Sequence, residues 1–249
     1  MLLRAGRPVT LRTGWRLAVR WVPNPRTTPF TFGYLVLLLG TTLLLTFADR
    51  GLTSRLLELS STDAHNLWRR PLTSLVTSAL WIGDDSWPVY VLIFAIAVAP
   101  LERRFGARRT AIVFFSGHLL ATLATELPVM ALIGMHVLDR SAGHWLDIGV
   151  SYGFFTTAGA LVFLLRGRAR IAALVLLEAF IALIYLSDDP ASLDDIVTLL
   201  GHACAAHFGF FFWGRRLPAS PSALKVPFTS SDAGILPIGA HRHDRSNAA

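Results

Sequence analysis

Long apolar blocks, separated by short arginine-rich or acidic joints, set the pattern of this chain. Apolar runs occupy residues 30–48, 87–101, 110–132, 145–165, 171–186 and 196–213. Each predicts a helix that crosses about 30 Å of hydrocarbon, at a rise of about 1.5 Å per residue. The second run is short and carries Pro88 and Pro100, which blurs its ends. Between the first two runs lies a region of mixed charge. Within it, residues 71–82 form an uncharged stretch of about a dozen residues, too short to cross and suited to an interfacial or re-entrant segment. The arginine-rich start has too many interruptions for a signal-peptide core, so the first run is expected to stay as an anchor. Three segments follow: a basic cytoplasmic N-terminal segment over 1–29, a membrane domain over 30–216, and a disordered cytoplasmic tail over 217–249, where Pro, Ser, Gly and Ala recur without a sustained period.

Composition points the same way. Of 249 residues 53% are hydrophobic and only 16% charged, with mean hydropathy +0.52, which is more apolar surface than one water-soluble core hides. The net charge of +7 is carried almost wholly by arginine, Lys225 being the only lysine. These cations sit between apolar runs rather than in one patch, which argues for topology and against nucleic acid as a partner. Arg103, Arg104, Arg108 and Arg109 fall between runs two and three, Arg166, Arg168 and Arg170 between four and five, and Arg215 and Arg216 after six. Asp188, Asp189, Asp194 and Asp195 fall between five and six. The positive-inside rule then predicts a multi-pass protein of the cell membrane with both termini cytoplasmic. The single cysteine, Cys204, excludes an internal disulfide and a multi-cysteine metal site.

Polar side chains inside such runs cost free energy to bury, and few occur. They are Ser116, His118 and Glu126 in run three, Asp147 and Ser151 in four, Glu178 in five, and His202 and His207 in six. Runs four and six enter from the same face, which puts Ser151 and His202 near one depth, roughly 10 Å below the outer surface. A serine and a histidine at one level supply a nucleophile and a general base. A packing serine and a histidine bonded to a neighbouring helix are the plainer alternatives. Gly201, Ala205 and Gly209 form a four-spaced stripe for close helix approach on run six, and Gly149 and Gly153 do so on run four. His207 lies about 140° around the helix from His202 and is read as a packing or interfacial residue. Glu178 fits either a proton pathway or a hydrogen bond to run four or six. His118 and Glu126 carry no recognisable ligand motif, and neither metal nor cofactor is expected.

Gly149-Val150-Ser151-Tyr152-Gly153 resembles the Gly-x-Ser-Gly nucleophile motif of rhomboid intramembrane proteases, without the glycine that follows the serine. His202, followed by Ala205 and Gly209, resembles that family's sixth-helix pattern of a catalytic histidine and small residues three and seven positions on. Trp68-Arg69 with Leu72-Thr73-Ser74 resembles the Trp-Arg segment of the family's first outer loop, and Glu102-Arg103-Arg104-Phe105-Gly106 its Glu-x-x-x-Gly turn. The resemblance covers about residues 30–216. It implies an all-α, six-transmembrane-helix bundle with a partly embedded first outer loop. It also implies serine-protease (hydrolase) activity on transmembrane segments near the outer face, through a dyad of Ser151 and His202 supported by Gly149. Where the family places His and Asn on helix two to support the oxyanion, this chain has Ser86 and Tyr90.

Expected partners are membrane lipid and the transmembrane segments of other proteins, as substrates or as clients. An inactive rhomboid-fold protein (pseudoprotease) that binds clients without cutting them is the second reading. A small transporter or channel using Glu178 and His118 is the third.

Overall fold

The computed structural model describes residues 22–82, 86–187 and 192–217, all within one unit, Met1–Ala219. The expectations for residues 1–21 and for the tail beyond Leu217 lie outside these residues, as do Asp188 and Asp189.

Eleven α-helices occur among the described residues, with no strand. They are α1 (Pro29–Phe47), α2 (Arg50–Ser60), α3 (Ala64–Arg69), α4 (Pro71–Thr77), α5 (Trp87–Ile96), α6 (Val98–Phe105), α7 (Ala107–Gly134), α8 (Ser151–Leu164), α9 (Gly167–Ser187), α10 (Leu193–Phe208) and α11 (Gly214–Arg216). A 3₁₀ turn, Ser78–Leu80, continues α4, and a π-helical turn, Gly209–Trp213, joins α10 to α11.

Four helical stretches are long and apolar enough to cross a membrane: α1, α7, α9 and the continuous Leu193–Arg216. Their outer faces are apolar and uncovered. Val36, Leu44 and Phe47 on α1 and Ile171, Leu176, Leu183 and Leu186 on α9 are exposed, an arrangement that water penalises and hydrocarbon does not. The protein is therefore a helical membrane bundle.

The other two expected spans are short, for identifiable reasons. Run two is broken at Ala97 into α5 and α6. Pro100 donates no hydrogen bond and its ring crowds the carbonyl four residues back, that of Ile96, where α5 ends. Run four was expected from residue 145, but helix begins only at Ser151 because Gly149 takes φ +126°, a conformation that side-chain-bearing residues rarely adopt. The resulting α8 has 14 residues, ten of them buried, and packs against α7, α9 and α10. It is the central helix of the bundle.

Asp194 and Asp195 were assigned to a loop and instead occupy the first turn of α10. There the Ser192 hydroxyl accepts from the Asp195 amide, and the two carboxylates oppose the positive end of the helix dipole.

The segment 71–80 turns back into the bundle, as its length required. Its apolar side chains face outward, Leu72 79% and Val76 64% exposed, while Ser74, Ser78 and Ala79 are buried. Irregular backbone at membrane depth needs partners, and it has them. The Tyr34 hydroxyl donates to the Ala79 carbonyl at 2.5 Å, and Gly149 N–H donates to the Ser78 carbonyl at 2.9 Å. His118 Nε2 lies 3.2 Å from both the Leu75 carbonyl and Ser78 Oγ. A carbonyl only accepts, so Nε2 carries the proton, and His118 clamps the segment onto α7.

Candidate functional site

Ser151 is the first residue of α8. Fourteen residues span about 21 Å, about 9 Å less than the hydrocarbon layer. Arg166 follows just after the other end of the helix, which anchors that end at an aqueous boundary. Ser151 therefore opens its helix and does not sit partway along a full span.

The chain approaching Ser151 is held by polar contacts. Ser61 Oγ donates to the Trp145 carbonyl at 2.9 Å and accepts from Asp147 N–H at 3.0 Å. Thr62 N–H donates to the Asp147 carbonyl at 2.8 Å and its hydroxyl to Asp147 Oδ2 at 2.9 Å. Burial pushes the Asp147 carboxyl up to about 6, the Thr62 hydroxyl opposing this and the neighbouring Asp63 adding to it. Gly149 forms the turn that leads into Ser151. Its own N–H is spent on Ser78, so it is not a donor to a substrate.

No side chain caps α8, and the first backbone acceptor used from its N-terminus is the Val150 carbonyl, taken by Phe154 N–H. The first amides of a helix have no intrahelical acceptor. Those of Ser151, Tyr152 and Gly153 thus lie at the positive end of the helix dipole.

Across from α8, His202 is 96% buried on α10. Its ring lies 4.4 Å from that of Phe155, centroid to centroid, and 5.6 Å edge-on from that of Tyr152. Phe155 is one turn below Ser151 on the same helix face, so His202 is set at the depth of that first turn. Its Nε2 is buried and makes no hydrogen bond among the described residues. Ser151 and His202 thus stand on adjoining helices, and no hydrogen bond joins them.

Tyr152 replaces the glycine of the nucleophile motif, and the structure accommodates it with glycine elsewhere. A methyl group at Gly201 would lie 2.4 Å from the Tyr152 ring, so the tyrosine occupies the space Gly201 leaves open. The stripe on α10 does face α8: Gly201 meets Tyr152, the Ala205 carbonyl lies 3.1 Å from Thr156 Oγ1, and a methyl at Gly209 would come 2.0 Å from the Thr156 carbonyl oxygen. The expected stripe on run four is different. Gly149 lies outside the helix and Gly153 faces Phe114 of α7; the close approach to α10 is made by Gly159, where a methyl would lie 2.0 Å from the Ala206 oxygen.

Ser86 and Tyr90 stand at the start of α5, which packs chiefly on α1 and α6. Glu178 pairs with His207 across α9 and α10, Oε1 3.6 Å from Nε2, and His207 Nδ1–H donates to the Ala203 carbonyl at 2.8 Å. Glu126 is fully buried on α7 with both oxygens unbonded among the described residues. No cluster of three metal-ligating side chains occurs among the described residues. Phe155 and Ser78 were not singled out in the sequence; the i, i+4 spacing of Phe155 from Ser151 was the available signal.

A family model for "rhomboid-like protein" matches residues 24–213. No curated protein and no solved structure matches the chain.

Proposed function

The chain belongs to the rhomboid-like protein family, and on that premise we propose that it is an intramembrane serine protease with Ser151 as nucleophile and His202 as general base. One observation carries the reading. Ser151 opens a short, buried central helix, and His202, whose ring packs on Phe155 and Tyr152 of that helix, keeps Nε2 unbonded among the described residues.

In the reaction the Ser151 hydroxyl attacks the scissile carbonyl while His202 Nε2 takes its proton. The first amides of α8 receive the developing oxyanion, the role that Ser86 and Tyr90 were expected to share. The leaving amine takes the proton back from His202, and water hydrolyses the acyl ester by the same route in reverse. Closure of the Oγ–Nε2 gap accompanies substrate entry, as catalytic hydrogen bonds tighten in the occupied site. The substrate is a transmembrane segment unwound near the cut, since helical carbonyls are otherwise engaged. The site faces the outer side of the cell membrane, with both termini in the cytoplasm, because the arginine-rich joints lie at the opposite ends of the helices.

A second reading has its own support. The missing Ser151–His202 hydrogen bond and the aromatic rings around His202 also suit a rhomboid-like protein that holds transmembrane clients without cutting them. Labelling of the detergent-purified protein with a fluorophosphonate, wild type beside Ser151→Ala and His202→Ala, separates the two. Wild-type labelling lost in both variants is the expected result. Folded wild type that stays unlabelled sinks the protease reading and leaves client binding, to be followed by crosslinking in membranes.

A further inference from the structure

On the same face as the start of α8, an open cleft of about 680 Å³ lies between α3, the C-terminal end of α7 and the turn Arg140–Gly143. Its polar lining is cationic or basic throughout: His65 and Arg69 from α3, and His136, Arg140 and His144 from the loop that follows α7. Its remaining wall includes Trp68, Met130 and Ile133.

The carboxylates nearest these arginines in sequence are already engaged. Asp63 accepts from Asn66 N–H and from Asn66 Nδ2–H, and Asp139 accepts from Ser141 N–H and its hydroxyl. Among the described residues neither Arg69 nor Arg140 has a salt bridge or a side-chain hydrogen bond. The His65 and His144 rings lie 4.2 Å apart. A modest desolvation, and then the charge of Arg69 and the proximity of His144, hold His65 below its ordinary value. Positive groups are thus gathered where they repel one another.

The backbone adds an independent sign. His136 adopts φ +58°, the one such residue other than glycine among those described, at the end of α7, where glycine is the usual helix terminator. An unfavourable conformation that presents an imidazole to a cleft is a reason to ask what that imidazole meets.

We propose that this cleft binds the phosphate of an anionic phospholipid, with Arg69 and Arg140 as its main contacts, the imidazoles as further donors, and the acyl chains along Trp68, Met130 and Ile133. Guanidinium groups match phosphate oxygens in a bidentate fashion. The location specifies a lipid rather than a free anion. Trp68 is 78% exposed, as suits a residue at the headgroup level, and the adjoining Leu72 and Val76 are turned outward. Because α3 and α4 lead into the segment that holds Gly149, a lipid seated here would steady the approach to Ser151. The inference does not depend on catalysis.

The test is native mass spectrometry of the full chain released from detergent in the presence of phosphatidylglycerol, phosphatidylcholine or glycerol 3-phosphate. Wild type is expected to retain one phosphatidylglycerol at least about 10-fold more tightly than phosphatidylcholine, and Arg69→Gln/Arg140→Gln to lose that preference. Equal retention of the two lipids by wild type, or an undiminished preference in the folded double variant, overturns the proposal. Glycerol 3-phosphate that competes as well as the lipid assigns the cleft to a soluble phosphate and overturns the lipid source. Should the double variant fail to fold, wild type in rising salt decides. The preference must weaken as charge is screened, and a salt-independent preference removes the arginines from the account.

Discussion

Gly201 leaves the space that the Tyr152 ring fills, a methyl group there falling 2.4 Å from the ring. The two residues stand next to His202 and Ser151 in the chain, so one packing contact sets the spacing of α8 and α10 beside them. Gly201→Ala is expected to lower stability by about 1–3 kcal/mol through overpacking. Tyr152→Ala, which opens the space, should suppress most of that loss. A double-mutant cycle on thermal unfolding in detergent measures the coupling, and simple additivity would show that the contact is slack.

Glu102 ties the two ends of the fold's first half together. Its Oε1 accepts from Phe30 N–H at 2.7 Å, and its Oε2 from Thr31 N–H at 2.8 Å and the Thr31 hydroxyl at 2.6 Å. It therefore caps α1 from 71 residues away. Glu102→Ala leaves buried donors unmatched and is expected to cost about 3 kcal/mol or more, while Thr31→Val, which removes one of three bonds, costs about 1 kcal/mol. Equal losses in the two variants would contradict the capping role.

Asp147 makes stability depend on pH. Its carboxyl is raised from 3.8 to about 6 by burial, so the folded protein holds this proton more tightly than the unfolded chain. The resulting stability is fully present below about pH 3.8 and is lost as pH rises through about 6. Asp147→Asn keeps an acceptor for Thr62 without the charge. It is expected to melt above wild type at pH 8, with the gap closing toward pH 4. A gap that widens on acidification would refute the assignment.

Gly149→Ala tests the turn that starts α8. At φ +126° any side chain is strained, and the N–H bond to Ser78 is expected to be distorted as well. Stability should fall by about 1–3 kcal/mol, and the fluorophosphonate labelling rate by more than the folded fraction does. Labelling that tracks the folded fraction alone would mean the turn supports folding and not the site.

How far the chain discloses itself depends on the range of each determinant. Apolar block length is a local property, so the membrane class and the helical fold were legible, and so was the family through motifs around Ser151, His202 and Glu102. Helix ends were less so. Run four looked like a full span because hydropathy does not register the positive φ of one glycine, whereas Pro88 and Pro100 already marked run two as short with blurred ends. Contacts between distant segments were not legible at all. Nothing adjacent to Glu102 announces that it caps α1, nor does Gly201 announce that it makes room for Tyr152. The contact of the His202 ring with Phe155, and the gathering of Arg69, Arg140 and three histidines at one cleft, were equally hidden. The sequence by itself determined what must lie in lipid, because transfer free energy adds up residue by residue along the chain. The tertiary structure decided which polar groups meet, because that depends on how helices of unequal length pack around α8.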